Sequence, residues 1–86
     1  MTDHKRRYDQ TRAGAAHRRL YKLKSWAAAR RAQFARQPLC ERCLERGIVT
    51  PATVVNHRRP HRGNVGLFLD PDNHESACAP CHDRVI

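Results

Sequence analysis

Apolar residues recur at helical spacing in one long stretch of this chain. Between about Ala15 and Arg36 the residues are mostly Ala, Leu, Arg and Lys, all good helix formers. At about 100° per residue, Leu20, Leu23, Ala27 and Phe34 fall on one stripe with Trp26 at its edge. Arg18, Lys22 and Arg36 lie on the far side, so the pattern predicts a single amphipathic helix over residues 15–37 with a basic outer face. Pro38 should end it, because a proline pushes the preceding Gln37 out of the α region. Residues 1–14 are polar, basic and without period, and are expected to form a mobile arm in the absence of DNA.

The rest of the chain is broken into short pieces. Residues 38–43 read as a cysteine knuckle and 44–47 as a turn ending on Gly47. Residues 52–55 (Ala-Thr-Val-Val) are a short β-prone run bounded by Pro51. A polar loop over 57–64 precedes a second apolar piece at 66–69, and 70–73 (Asp-Pro-Asp-Asn) is a turn. Residues 75–78 lead into a final helix beginning near residue 79. Few residues follow His82, so that helix should span one or two turns, and the lack of a natural C-terminal extension would weaken the active site. The expected organisation is an arm (1–14), a basic helix (15–37) and a cysteine-bearing module (38–86).

Composition sharpens this picture. With 86 residues, one Trp, two Phe and one Met, the chain has material for one small core. A domain of this size buries only roughly 60% of its unfolded surface, which makes a staple valuable. The 17 basic and 8 acidic residues give a net charge of +9. Residues 1–36 carry all of that excess, whereas residues 37–86 are neutral. Such an asymmetry suits a polyanionic partner. No stretch approaches the ~20 apolar residues of a membrane span, and no apolar signal core is expected at the N-terminus. A cytoplasmic location, in a bacterium or a phage-infected cell, follows as the expectation.

In that compartment paired cysteines read as metal ligands before disulfides. Cys40-x-x-Cys43 and Cys78-x-x-Cys81 are separated by 34 residues. Each pair makes a tight knuckle that aims two thiolates at one point, and two knuckles complete the tetrahedral site of a structural zinc. Three other readings compete: disulfides, a dithiol redox centre, and covalent haem attachment at Cys78-Ala-Pro-Cys81-His82. The redox reading lacks a surrounding βαβ pattern. The haem reading needs export and leaves Cys40 and Cys43 unexplained.

The ordered set Pro38-Leu39-Cys40-x-x-Cys43-x-x-x-Gly47, Val54-Val55-Asn56-His57-x-x-Pro60-His61-x-Gly63, Leu67-Phe68-x-Asp70-x-x-Asn73 and Cys78-x-x-Cys81-His82 resembles the HNH endonucleases. Within them it is most similar to the small, zinc-knuckled kind of phages and prophages. The resemblance implies a small α+β fold, a ββα-metal core of two strands and a helix around one divalent ion, here stapled by zinc and preceded by the basic helix. It implies metal-assisted hydrolysis of DNA to 5′-phosphate ends. It assigns His57 as general base, Asn73 as the brace of the loop that orients His57, and His82 as a ligand of the catalytic ion together with residue 56. A neutral histidine titrates in the range a base needs, and a divalent ion stabilises charge developing on phosphate and leaving oxygen. The family commonly carries Asp at the position of Asn56. A neutral Asn lowers metal affinity or moves preference from Mg toward Mn, Ni or Zn. His61 is available as an extra ligand or a phosphate contact, and His74 is expected to be an ordinary surface residue.

Arg18, Arg19, Lys22, Lys24, Arg30 and Arg31, with Lys5, Arg6, Arg7 and Arg12, form the electrostatic footprint for DNA, and Arg58, Arg59 and Arg62 flank the expected base. Contacts of this kind give affinity without sequence information. Specificity is therefore expected from a partner, such as the terminase that phage members of this family work beside. A monomer or weak dimer is expected. The alternative of another class is a zinc-binding DNA-binding module without catalysis, which needs neither a second metal nor a role for His57.

Overall fold

The structure, a computed structural model, describes residues 12–85. Most of the expected arm, residues 1–11, lies outside the described residues. In chain order the elements are α1 (Arg12–Leu20), α2 (Lys24–Arg36), α3 (Glu41–Glu45), β1 (Val54–His57), α4 (Val65–Leu69), a 3-10 turn (Pro71–Asn73), β2 (His74–Ala77) and α5 (Ala79–Val85). β1 and β2 pair antiparallel, with Val54 opposite Ala77, Val55 opposite Ser76, Asn56 opposite Glu75 and His57 opposite His74. The fold is small α+β, as the resemblance implies.

The expected single helix over 15–37 is two helices. No proline or glycine breaks it; tertiary contacts do. Tyr21 and Trp26 both reach the ring of Phe68, at centroid distances of 4.9 and 4.6 Å. On one continuous helix, positions five apart point roughly 140° away from each other. The chain instead tightens through i→i−3 bonds, Tyr21 N–H to Arg18 O and Leu23 N–H to Leu20 O, and restarts. Leu23 becomes the residue preceding α2 and stays exposed, while Trp26 and Gln33 form the buried face of that helix. The helix does end before Pro38.

Cross-strand partners share a face of the sheet, so the hairpin has two sides. On one, Val55, His57, His74 and Ser76 face α2 and α4. Trp26, Val55 and Phe68 form the core there, with Leu20, Ala29, Phe34 and Leu69 against it. Gln33 Nε2 donates to Ser76 Oγ at 2.9 Å, and that hydroxyl donates to the Gln37 carbonyl at 2.6 Å. On the other side lie Val54, Asn56, Glu75 and Ala77, and Ala77 packs with all four cysteines. With both sides covered, every residue of β2 is buried.

The apolar piece at 66–69 takes no part in the sheet. Asn64 caps it as α4 by accepting from Leu67 N–H at 3.0 Å. This helix seats Phe68, which is fully buried, and turns its carbonyl toward the hairpin.

Candidate active site

The two cysteine pairs converge. Cys40 caps the start of α3, its sulfur accepting from Cys43 N–H at 3.5 Å. Gly47, at φ +74°, closes α3 with Gly47 N–H on Leu44 O and Ile48 N–H on Cys43 O, a Schellman stop that needs a left-handed residue. Cys78 and Cys81 come from the end of the hairpin and the start of α5. All four Sγ atoms lie within 4.8 Å of one another, and Cys43 Sγ is 3.7 Å from those of both Cys78 and Cys81. A disulfide requires about 2.05 Å. Four thiolates on a tetrahedral ion with bonds of about 2.3 Å stand about 3.8 Å apart, close to the two distances from Cys43. The haem reading fails too, because Cys78 and Cys81 turn inward to this cluster. A hydrogen bond from the Thr50 side chain is the main force bringing the Cys43 thiol down to about 6 against its burial, whereas Cys81 is pushed up to about 12, chiefly by its bond with Cys78. Arg46 Nη2 adds contacts of 3.5 and 3.8 Å to the sulfurs of Cys43 and Cys81.

His57 ends β1, half-buried, with its ring stacked on Trp26 at 5.3 Å and on Phe68 at 5.2 Å. Its Nε2 lies 3.0 Å from the Phe68 carbonyl, and Nε2 of His74 lies 2.8 Å from the same oxygen. A carbonyl only accepts, so both rings carry a proton on Nε2. Nδ1 of His57 is left with a lone pair. Burial is the largest force lowering the His57 pKa below 6.5; the Phe68 carbonyl opposes it, and His74, His17 and His82 add to the lowering. His57 is therefore neutral at physiological pH.

His74 is not a surface residue: it is buried on the covered strand β2 with an edge-on contact to Trp26. His61 also differs from expectation. It is buried, Gly63 N–H donates to its Nδ1 at 3.1 Å, and its Nε2 lies 3.1 Å from the Tyr21 hydroxyl. Burial, then His17 and His57, push it down to about 4. Both ring nitrogens are engaged, so His61 offers no free donor to a metal or a phosphate. His17 and Tyr21, which the sequence reading did not single out for the site, complete this aromatic wall, His17 lying 4.3 Å from the His61 ring.

Asn73 is buried behind the loop that follows His57. Its Oδ1 accepts from Arg59 N–H at 2.8 Å, and its Nδ2 donates to the carbonyls of Arg59 and Leu67 at 3.0 Å each. The Asn73 carbonyl accepts from Arg58 N–H at 2.9 Å. The Asn73 side chain thus ties the Arg59 backbone to α4, whose Phe68 carbonyl holds His57, and the Asn73 backbone carbonyl holds Arg58. Asn73→Ala should lower the cleavage rate by about 10²-fold, the cost of a misplaced catalytic group. Plasmid-nicking kinetics would measure that loss, and metal content should stay unchanged.

The opposite face of the hairpin carries Asn56, buried, with Nδ2 donating to Glu75 Oε1 at 3.2 Å. Glu75 also receives Arg42 Nε at 3.0 Å and Arg58 Nη1 at 2.8 Å. Arg58 reaches on to Glu41 at 3.0 Å, so it is committed within the protein. His82 stands on α5, which packs against β1; its backbone N–H donates to Cys78 O at 3.0 Å and its partly exposed ring lies beside Asp83, Nδ1 to Oδ1 3.8 Å. Among the described residues, no other three His, Cys, Asp or Glu side chains come together as the four cysteines do. Of the expected DNA contacts, Arg18, Arg19, Lys22, Arg59 and Arg62 are exposed. Arg30 is exposed as well, but donates to Thr53 O at 3.3 Å and lies over the Phe34 ring.

A two-stranded hairpin followed by a helix, with a neutral histidine at the end of its first strand and a four-thiol knuckle at its base, defines a ββα-metal nuclease. The family model of the HNH endonuclease matches residues 40–85. Among solved structures, the HNH endonuclease of the deep-sea thermophilic bacteriophage GVE2, crystallised with a manganese ion, is 32% identical with a TM-score of 0.78, over 92% of this chain and 87% of that one. No curated protein matches the chain. The chain belongs to the HNH endonuclease family. Among the described residues, no helix is long and apolar enough to cross a membrane.

Proposed function

We propose that this endonuclease hydrolyses DNA phosphodiester bonds with His57 as general base and a divalent ion held at Asn56 and His82. The observation that carries this reading is the His57 imidazole. Its Nε2–H is committed to the Phe68 carbonyl and its Nδ1 lone pair is left to take a proton from water. Asn73 holds the 58–59 backbone against α4, which keeps that geometry fixed. When bound, the divalent ion supplies positive charge to the phosphate and the departing oxygen. An amide oxygen and an imidazole are a mixed donor set that suits Mn, Ni or Zn as well as Mg. A zinc–thiolate bond of about 2.3 Å is compatible with the four-thiol cluster, which supports zinc as its ion.

DNA binding rests on Arg18, Arg19 and Lys22 around α1 and on Arg59 and Arg62 beside the base. Arg62, at φ +49°, and Gly63, at φ +83°, make a left-handed turn in that loop. These are phosphate contacts, so weak sequence preference and steep salt dependence follow. A role in phage or prophage DNA processing beside a terminase fits such a nuclease.

The test is conversion of supercoiled plasmid to nicked or linear forms with Mg, Mn, Ni or Zn added singly. Cleavage that requires an added ion, and that falls as salt rises, is the expected result. Salt-sensitive binding without conversion by any ion would favour the non-catalytic DNA-binding module.

A further inference from the structure

We propose that His74 is a positioning residue for the general base, fixing the Phe68 carbonyl that holds the His57 ring. This rests on the reading above, in which His57 takes the proton from water. His74 is the cross-strand partner of His57, on the same side of the hairpin. The two rings meet edge to face, with centroids 5.1 Å apart and planes at 82°. Both aim Nε2 at one oxygen, the Phe68 carbonyl, at 3.0 Å from His57 and 2.8 Å from His74. A carbonyl oxygen has two lone pairs, so it can accept from both rings at once.

Burial of His74 is unfavourable in one respect. The residue is 4% exposed, and its Nδ1 is buried without a hydrogen-bond partner among the described residues. A buried polar atom left unpaired lowers stability, whereas an apolar side chain of similar shape would fill the space without that loss. What the histidine alone brings is the N–H on Phe68. That carbonyl lies in the last turn of α4, a helix of five residues whose terminal carbonyls have no helical N–H to accept. Two successive residues of the chain tie it down: Asn73 Nδ2 holds the Leu67 carbonyl at 3.0 Å, and His74 holds that of Phe68. The shorter of the two bonds to Phe68 is the one from His74, so β2 sets the oxygen and His57 docks against it. With the oxygen fixed, the His57 ring cannot turn over without putting a lone pair against it. Nδ1 therefore stays the basic nitrogen.

The test compares His74→Leu, which keeps the bulk and removes the donor, with His74→Gln, which keeps an N–H able to reach the carbonyl. Both are made in the full chain with its thiol cluster filled. In His74→Leu, kcat for DNA cleavage should fall by at least about tenfold, the consequence of a loosened catalytic group. KM should be unchanged and the thermal midpoint equal or higher. His74→Gln should recover most of the rate. Long-range 1H–15N spectra without DNA should show His57 of the unsubstituted protein wholly as the Nε2–H form, and a mixture of both forms in His74→Leu. In the unsubstituted protein the Nε2 protons of both rings should also exchange slowly with water. Fast exchange of the His74 proton would overturn the shared carbonyl, however the variants fold. A lower thermal midpoint in His74→Leu with the His57 spectrum unchanged would make His74 structural only, and an unchanged kcat would remove its role as well. Either result leaves His57 as the base so long as His57→Gln loses cleavage. Normal cleavage by His57→Gln would instead overturn the base reading, and this proposal with it.

Discussion

Replacing His57 by alanine or by glutamine lowers the rate of metal-dependent DNA cleavage by about 10²–10⁴-fold, the range of a lost general base. The two substitutions separate chemistry from architecture. Alanine removes the stacking on Trp26 and Phe68 as well as the base. Glutamine keeps an N–H that can donate to the Phe68 carbonyl and has no basic nitrogen to take a proton. Equal losses in both, with the thiol cluster still metal-loaded and DNA affinity intact, assign the effect to the Nδ1 lone pair. A glutamine variant that cleaves normally would remove His57 from the chemistry. The pH dependence follows from the same ring. Only neutral His57 accepts a proton, so the rate rises with pH as it deprotonates. Burial lowers its pKa from 6.5, which puts the midpoint of that rise below 6.5 and leaves the plateau reached by neutral pH.

Chemistry at short range was the legible part of this chain. Two CxxC pairs specify convergence because each knuckle already fixes two sulfurs, and the distant pair has only to meet it. The ββα architecture followed from the order of Cys, His, Asn, Cys and His motifs rather than from periodicity, which is nearly absent after residue 37. Gly47 and Pro38 act where local rules say they should. Residues 66–69 show the limit of periodicity, since an apolar run that short fits helix and strand alike. Asn64 at its start was the cap signal that decides for a helix.

What stayed hidden depends on contacts distant in sequence. Nothing local marks the break at 21–23; it exists because Tyr21 and Trp26 converge on Phe68. A lone histidine is usually at the surface, yet His74 is buried, because β2 is covered by α2 on one side and by the cysteine knuckle on the other. Strand alternation alone would leave one face of β2 in water. The same double coverage buries Glu75 and gathers Arg42 and Arg58 onto it. Arg58, read from the sequence as a phosphate grip, is thereby turned into a structural ion pair. The signal that could have found this is the lone acidic residue of the strand, set between residues that pair with β1.

Stripping the ion from the four-thiol cluster unfolds the chain. The magnitudes decide this. Structural zinc sites contribute roughly 10–16 kcal/mol of binding free energy, against a total stability of about 5–15 kcal/mol for a natural domain. Little else holds this module. Its second core is built on Trp26, Val55 and Phe68, and the largest fully buried side chains are Phe68, Cys40 and Ser76, one of them a cluster ligand. Without the ion, α2, at 13 residues, is near the length at which isolated helices are marginal. A strong zinc chelator should therefore abolish the far-UV circular dichroism of the folded state and expose all four thiols to titration, and Cys43→Ser should do the same with the three thiols it keeps; zinc should restore the unsubstituted protein. Cleavage should vanish with the fold even when manganese or magnesium is saturating, because His82 follows Cys81 directly and its backbone N–H is held by Cys78 O. An apo-protein that keeps its circular dichroism and still cleaves with added magnesium would show that the cluster neither staples the fold nor anchors the catalytic helix.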